Sequence, residues 1–330
     1  MNKYGLMLLV GVCFISLLGC QSVSEPPEVR YCSSFPLDTT VCVTEIPFAE
    51  NKASHTVVQM GDKVMSHGDY GMVSIYRYPG LHFLYKRSME CDLSFVENGH
   101  YCSVKNGVAD VFEWKGDSLE QTSSFVLCKW LPRATIESIG DGNYIYVDNY
   151  ECKGLNEFHL LNSRTQQQKS KGEYPESPNR FKRLKDFKIA YAHSLRMKPD
   201  KSRFVLYYCL NRRFRIYERN GTLLHEVFLD YPPANDKVVD LSYERQYIHF
   251  SGAYTTEKHI YLLSPDTRGL SKAKPECSIL VIDWEGNLVA RYRLNTYLYS
   301  FFIDEDSKKC IGVGCQKGGV YSFFSFKLLN

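Results

Sequence analysis

Apolar positions along this chain fall in short bursts rather than in helical stripes. From Met72 onward, runs of about five to eight residues, alternating or continuous, are separated by Gly, Asn, Asp and Pro. Met72–Tyr78, Val108–Trp114, Asn143–Val147, Arg203–Tyr208, Tyr247–Phe250 and Ser278–Ile282 are such runs. Short strands with recurrent turn signals predict an all-β fold: a sandwich, a barrel or a propeller. Roughly 300 residues are too many for one simple sandwich.

A repeat narrows the choice. Phe214-Arg215-Ile216-Tyr217-Glu218-Arg219-Asn220-Gly221-Thr222-Leu223 and Ile279-Leu280-Val281-Ile282-Asp283-Trp284-Glu285-Gly286-Asn287-Leu288 follow one plan. A strand reaches a polar turn with Gly, and a second strand starts at the Leu. A weaker copy runs from Val111 to Leu119, through Gly116. Such turns need positive φ, which Gly adopts most easily. Each hairpin is joined to a second element: strand, acidic or Lys-Asp turn, strand. Leu298–Val313 and Ala192–Val205 show it. Together the two elements form a four-stranded unit of about 40 to 60 residues, as in a propeller blade. Third strands are expected near Val73, Val111, Phe158, Ile216, Val281 and Phe323, giving six blades of uneven length. The last blade lacks a fourth strand, and the segment around Thr39–Thr44 is free to supply it from the other end of the chain.

The N-terminus reads differently. Met1-Asn2-Lys3 carries one positive charge, and Leu6–Leu18 carries none. That run is short for a spanning helix, which needs about 20 apolar residues, and it suits a secretory signal. The segment Gln21–Glu28 is polar and Pro-rich and cannot build a core. The expected division is a signal over residues 1–19, a polar tether over 20–34 and one propeller domain over 35–330.

Two sequence features resemble known families. Leu17-Leu18-Gly19-Cys20 resembles the bacterial lipobox, which implies that Cys20 carries lipid and becomes the first mature residue. Acyl chains would then hold the protein at a membrane. Gln21 rather than Asp after the Cys implies the outer membrane under the usual sorting rule. The mature chain is similar to the TolB-like six-bladed β-propeller lipoproteins of Bacteroides-type bacteria, relatives of NHL-like propellers. The likeness rests on the lipobox, on Val281–Leu288, on Phe301–Glu305, and on Ser251–Tyr254 followed by His259–Leu263. It implies a fold and an address in the cell envelope, and it carries over no catalytic residues.

Composition adds mainly exclusions. Removing the signal takes away Lys3 and no acid, which lowers the formal charge of +3 by one and gives no argument for nucleic acid. Of twelve Cys, Cys13 lies in the signal and Cys20 is the lipid site. Cys32 with Cys42, Cys91 with Cys102 and Cys310 with Cys315 are near pairs that an oxidising compartment permits; buried free thiols are the equal alternative. No zinc-ligand spacing, nucleophile elbow or phosphate loop is present, so no cofactor is expected. Arg180–Lys185 is basic, but its Phe181 and Leu184 are expected to pack.

The candidate binding residues are His193 and Arg196, on a strand expected to line the central channel, and Tyr254, beside the polar hairpin Thr255–Lys258 that ends at His259. The favoured function is a non-catalytic binding or scaffolding module with an envelope protein or a glycan as partner. The alternative is a metal-assisted lyase or hydrolase at the channel. It requires side chains such as His193, Asp141, Asn149 and Asp240 to converge on one ion.

Overall fold

In a computed structural model the described residues are 27–47, 56–68, 71–129, 135–149, 155–175, 181, 183–231, 247–268, 277–315 and 321–329. They form a six-bladed β-propeller. Blade 1 comprises Thr56–Met60, Lys63–His67, Met72–Arg77 and His82–Ser88. Blade 2 comprises Leu93–Glu97, His100–Lys105, Val108–Lys115 and Ser118–Val126. Blade 3 comprises Thr135–Gly140, Asn143–Val147, Asn156–Asn162 and Gln167–Glu173. Blade 4 comprises His193–Met197, Arg203–Tyr208, Arg213–Glu218 and Leu223–Leu229. Blade 5 comprises Gly252–Thr255, His259–Ser264, Cys277–Asp283 and Leu288–Leu294, and blade 6 begins with Leu298–Asp304, Lys309–Cys315 and Tyr321–Lys327. All six expected markers fall on third strands.

The N-terminal segment closes the ring over a longer path than expected. Thr44–Glu45 pairs antiparallel with Tyr321–Lys327 and is the fourth strand of blade 6. Leu37–Val41, which holds Thr39, instead runs parallel to Leu288–Leu294 as a fifth strand of blade 5. Glu28–Cys32 runs parallel to Leu223–Leu229 as a fifth strand of blade 4. The stretch read as tether up to residue 34 is therefore paired backbone from Glu28. Side chains hold this strap across blades: Arg30 Nη1 donates to Glu285 O and Asn287 Oδ1, each at 2.7 Å. Arg293 pairs with Asp38 at 2.6 Å, and Phe35 is buried in the core between blades 4 and 5.

Six apolar clusters fill the spaces between neighbouring blades, and the third strands supply much of them. Between blades 3 and 4, for example, Ile145, Phe158, Leu195, Phe204, Leu206 and Tyr217 pack together. Phe204 and Tyr217 stack at 5.0 Å, and Phe158 meets both edge-on at 5.1 Å. The sequence repeat has a structural counterpart. A register shift lies two to four residues before the third-strand end in blades 1, 2, 4 and 5, at Ile75/Tyr76, Val111/Phe112, Ile216/Tyr217 and Val281/Ile282. Such a bulge steepens the twist of the outer hairpin. The following turns place Gly116, Gly221 and Gly286 at φ of 62°, 90° and 80°.

A seven-residue helix, Leu184–Ala190, lies between blades 3 and 4 and was not expected from the pattern of apolar positions. It begins at the end of the basic stretch. Phe181 packs on Phe187 as expected, whereas Leu184 is 42% exposed. Eight cysteines among the described residues, Cys32, Cys42, Cys91, Cys102 and Cys310 among them, are free thiols.

Candidate functional site

The innermost strand of every blade contributes to one central cavity of about 510 Å³. Its lining is built from small hydroxyls. Thr56, Ser94, Thr135, Ser194 and Ser300 come from five different innermost strands. Tyr254 and Tyr299 add aromatic faces from blades 5 and 6. Strand alternation selects these residues. In His193–Met197 the pattern is buried, half-buried, buried, half-buried, buried, so Ser194 and Arg196 reach the cavity while His193 and Leu195 turn away.

Hydrogen bonds between neighbouring innermost strands fix the wall. Thr135 Oγ1 and Ser194 Oγ lie 3.0 Å apart, joining blades 3 and 4. Thr255 Oγ1 donates to Met197 O at 2.6 Å, joining blades 4 and 5. Val57 N donates to Ser300 Oγ at 3.0 Å, joining blades 1 and 6. Glu97 accepts from Ser138 Oγ at 2.5 Å and Tyr144 Oη at 2.9 Å, joining blades 2 and 3.

The charged residues among those lining the cavity are Glu137 and Arg196, paired at 2.5 Å. Arg196 also donates from Nε to Ala253 O at 3.2 Å, so its guanidinium spans blades 3, 4 and 5. Its side chain is 43% exposed and that of Glu137 16%. Enclosure acts to lower the Arg196 pKa, but Glu137 and Tyr207 together more than offset it, and the guanidinium is held above its ordinary value. Burial raises the phenols of Tyr254 and Tyr207.

His193 does not line the channel, which corrects the expectation. It is 1% exposed, with Nδ1 2.8 Å from Tyr191 O and Nε2 2.7 Å from Glu157 O. Burial pushes its pKa down to about 4, against the pull of those two carbonyls. Its role is to join blades 3 and 4. Arg196 and Tyr254 do reach the channel. The polar hairpin beside Tyr254 is less free than expected: Thr256 is 3% exposed, and its carbonyl accepts from Trp284 Nε1 at 3.0 Å. His259 lies outside the cavity lining, with its ring edge-on to Tyr261 at 6.0 Å.

Among the described residues, those needed for a metal-assisted reaction do not gather. Asn149 exchanges hydrogen bonds with the His193 backbone at 2.8 and 3.2 Å. Asp141 lies in an exposed turn at φ 57°, and Asp240 and Cys20 lie outside the described residues. Among the described residues no three His, Cys, Asp or Glu side chains are grouped so that they could hold a metal ion. Sequence reasoning missed Glu137 and the ring of small hydroxyls. A Ser or Thr near the start of a strand is too common a signal to stand out.

No family model matches this chain, and no curated protein matches it in sequence. Solved structures do. The chain is similar to the crystal structure of a member of the duf4221 family from Bacteroides vulgatus, with a TM-score of 0.57 and 9% identity over 87% of this chain and 96% of that one. It is also similar to the crystal structure of RRP9 WD40 repeats, with a TM-score of 0.53 and 7% identity over 87% and 97%. At these identities the likeness shows the fold.

Proposed function

We propose that this protein is a lipid-anchored binding module of the bacterial cell envelope, with its ligand in the central channel. The observation that carries the reading is the cavity of about 510 Å³, to which all six innermost strands contribute. That volume is within the usual range for small-molecule sites, about 300–1,000 Å³. Its walls are cross-braced between blades, so the polar groups stay in place when the site is empty, and binding need not order them. Its one ion pair is internally compensated. Scaffolding or binding suits such a wall better than acid–base chemistry does.

The envelope address and the TolB-like, NHL-like kinship rest on the sequence, through Leu17–Cys20 and the hairpin repeats. In this reading Cys20 carries the lipid, the outer membrane is the host surface, and a glycan or envelope protein is the partner. Two measurements test it. Cys20→Ala is expected to move the protein from the membrane to the soluble fraction of its host; unchanged partitioning refutes the anchor. Native mass spectrometry of protein isolated from that host is expected to show a small-molecule adduct that Ser194→Trp, which fills the channel, removes. An adduct that survives the plug refutes the channel as the site.

A further inference from the structure

The structure assigns a ligand class to the channel: we infer that it binds a neutral, polyhydroxylated molecule, a sugar of one or two rings. The inference rests on the channel-binding reading above and adds to it the chemistry of the occupant.

Charge is the first argument. The charged residues among those lining the cavity, Glu137 and Arg196, already neutralise each other at 2.5 Å. A carboxylate or phosphate that took Arg196 would displace Glu137 or sit against it. Either outcome leaves an acid without a counter-charge in a partly enclosed site, which is unfavourable. A cation drawn to Glu137 meets the mirror image of the problem at Arg196.

Hydrogen-bond type is the second. Eleven lining residues carry hydroxyls, from Thr56 round to Ser300. A hydroxyl is both donor and acceptor and rotates to suit its neighbour. A carboxylate asks a site only for donors, and an ammonium only for acceptors. A ring of hydroxyls matches a ligand whose own groups also do both, and sugar hydroxyls do. The ion pair fits the same pattern. Its bond joins Arg196 Nη1 to Glu137 Oε1, while Nε is given to Ala253 O. That leaves Nη2, a donor, and Oε2, an acceptor, outside those bonds. A ligand hydroxyl, which both donates and accepts, can meet either.

Aromatic placement is the third. Tyr299 lines the cavity, and its ring meets Tyr297 at 5.0 Å and Tyr321 at 5.2 Å. Both contacts are edge-on, so the cavity-lining Tyr299 is the middle ring of the three. An aromatic face receives the apolar C–H side of a sugar ring while the edges of the ring take the hydroxyls. Tyr254 adds a further ring on blade 5.

The test is isothermal titration calorimetry on the detergent-solubilised mature protein. The neutral panel is glucose, galactose, N-acetylglucosamine, maltose and cellobiose; the charged panel is glutamate, succinate, lysine and glucose 6-phosphate. At least one neutral sugar is expected to bind, with a Kd that changes less than about twofold between low and high salt, because no net charge is screened. Glu137→Gln is expected to weaken it about tenfold or more, the loss of one charge-assisted hydrogen bond. Ser194→Trp and Thr56→Trp fill the cavity from two blades and are each expected to weaken it more than about tenfold. Lys115→Ala, in the outer hairpin of blade 2 and outside the cavity lining, keeps binding within about threefold and serves as the control. Salt-sensitive binding of a charged compound alone, lost in both Trp variants, overturns the ligand class and spares the channel. Sugar binding that both folded Trp variants retain overturns the channel as well. Absence of binding by every neutral sugar overturns the inference.

Discussion

Removing Arg215 should destabilise the propeller strongly, and by an amount that grows with pH. Arg215 lies between blades 3 and 4, with its side chain 7% exposed, and its Nη1 meets Glu157 Oε1 at 3.0 Å. Nη2 and Nε reach Glu226 Oε1 at 2.8 and 2.9 Å, and Nη1 also donates to Glu173 O at 2.7 Å. The Glu157 side chain is fully buried and accepts from the hydroxyls of Tyr208 and Tyr217. Arg215→Met keeps much of the volume and removes the charge, leaving the buried Glu157 uncompensated and Glu226 with the longer contact to Arg213 at 3.4 Å. Breaking a buried pair from one side costs about 3–5 kcal/mol.

The pH dependence follows from Glu157. Burial pushes its carboxyl up to about 7 from an ordinary 4.5, although Arg215 pulls it down. The folded state thus holds this proton more tightly than the unfolded chain does. The resulting contribution to stability is complete below 4.5 and is lost as pH rises through 7. At about 1.4 kcal/mol per unit it amounts to about 3 kcal/mol. Without Arg215 the carboxyl rises further, so the variant keeps losing stability above the pH at which the wild type has levelled off. Urea unfolding of both proteins at pH 6 and pH 8 should show a difference between them that is larger at pH 8 by more than about 1 kcal/mol. Placing Arg215→Met in a Glu157→Gln background should remove most of that pH dependence. An equal difference at both pH values refutes the assignment to Glu157.

Two further predictions concern the turns and the thiols. Gly107 sits at φ 77°, and a Cβ there would lie 1.9 Å from Cys128 O. Gly107→Ala is therefore expected to lose about 2 kcal/mol or more in thermal or urea unfolding, and an unchanged midpoint contradicts the turn geometry. Cys42 is exposed, whereas burial pushes the Cys102 and Cys277 thiols up to about 12 and holds that of Cys310 well above its ordinary value. Iodoacetamide at pH 8 with peptide mapping should modify Cys42 in the native protein and Cys102, Cys277 and Cys310 only in urea; native labelling of Cys310 ahead of Cys42 contradicts the packing.

The blade count was legible because third strands are buried on both faces. Val281 stands in the continuous apolar run Ile279–Ile282, Phe214 and Ile216 flank Arg215, Phe323 lies between Ser322 and Phe324, and Gly221 and Gly286 mark where two of these strands turn. The channel was less legible for the opposite reason. Its strands carry Thr56 at an exposed position and Ser94, Thr135 and Ser194 at half-exposed ones, and such residues occur in any surface strand. His193 misled because its chemistry suggests a site, whereas its place in the strand decides which way it faces. One residue along, Ser194 faces the cavity and His193 packs beneath Glu157. The pairing of Arg196 with Glu137 could not be read either, since it joins different blades across 59 positions. The short helix Leu184–Ala190 has no side-chain cap to announce its start.

The strap was the least legible element, and the reason lies in how it is held. Val29 and Tyr31 are 49% and 75% exposed, so Glu28–Cys32 has little of the apolar pattern that marks a strand. Its attachment is backbone pairing with an edge that the neighbouring hairpin leaves open, reinforced at Arg30. Parallel pairing with Leu223–Leu229 and Leu288–Leu294 also has no hairpin signal, because the partners lie some 190 to 255 residues away. The sequence therefore suggests a tether where the fold has a clasp. The consequence is mechanical. Two residues, Thr44–Glu45, complete blade 6, and by themselves they would be a weak closure. By continuing back across blades 5 and 4, the same segment covers both of their outer edges, which would otherwise offer unpaired backbone to another chain. Peeling the N-terminus from the ring must break the pairing on blade 4 and then on blade 5 before it reaches the two residues that close blade 6.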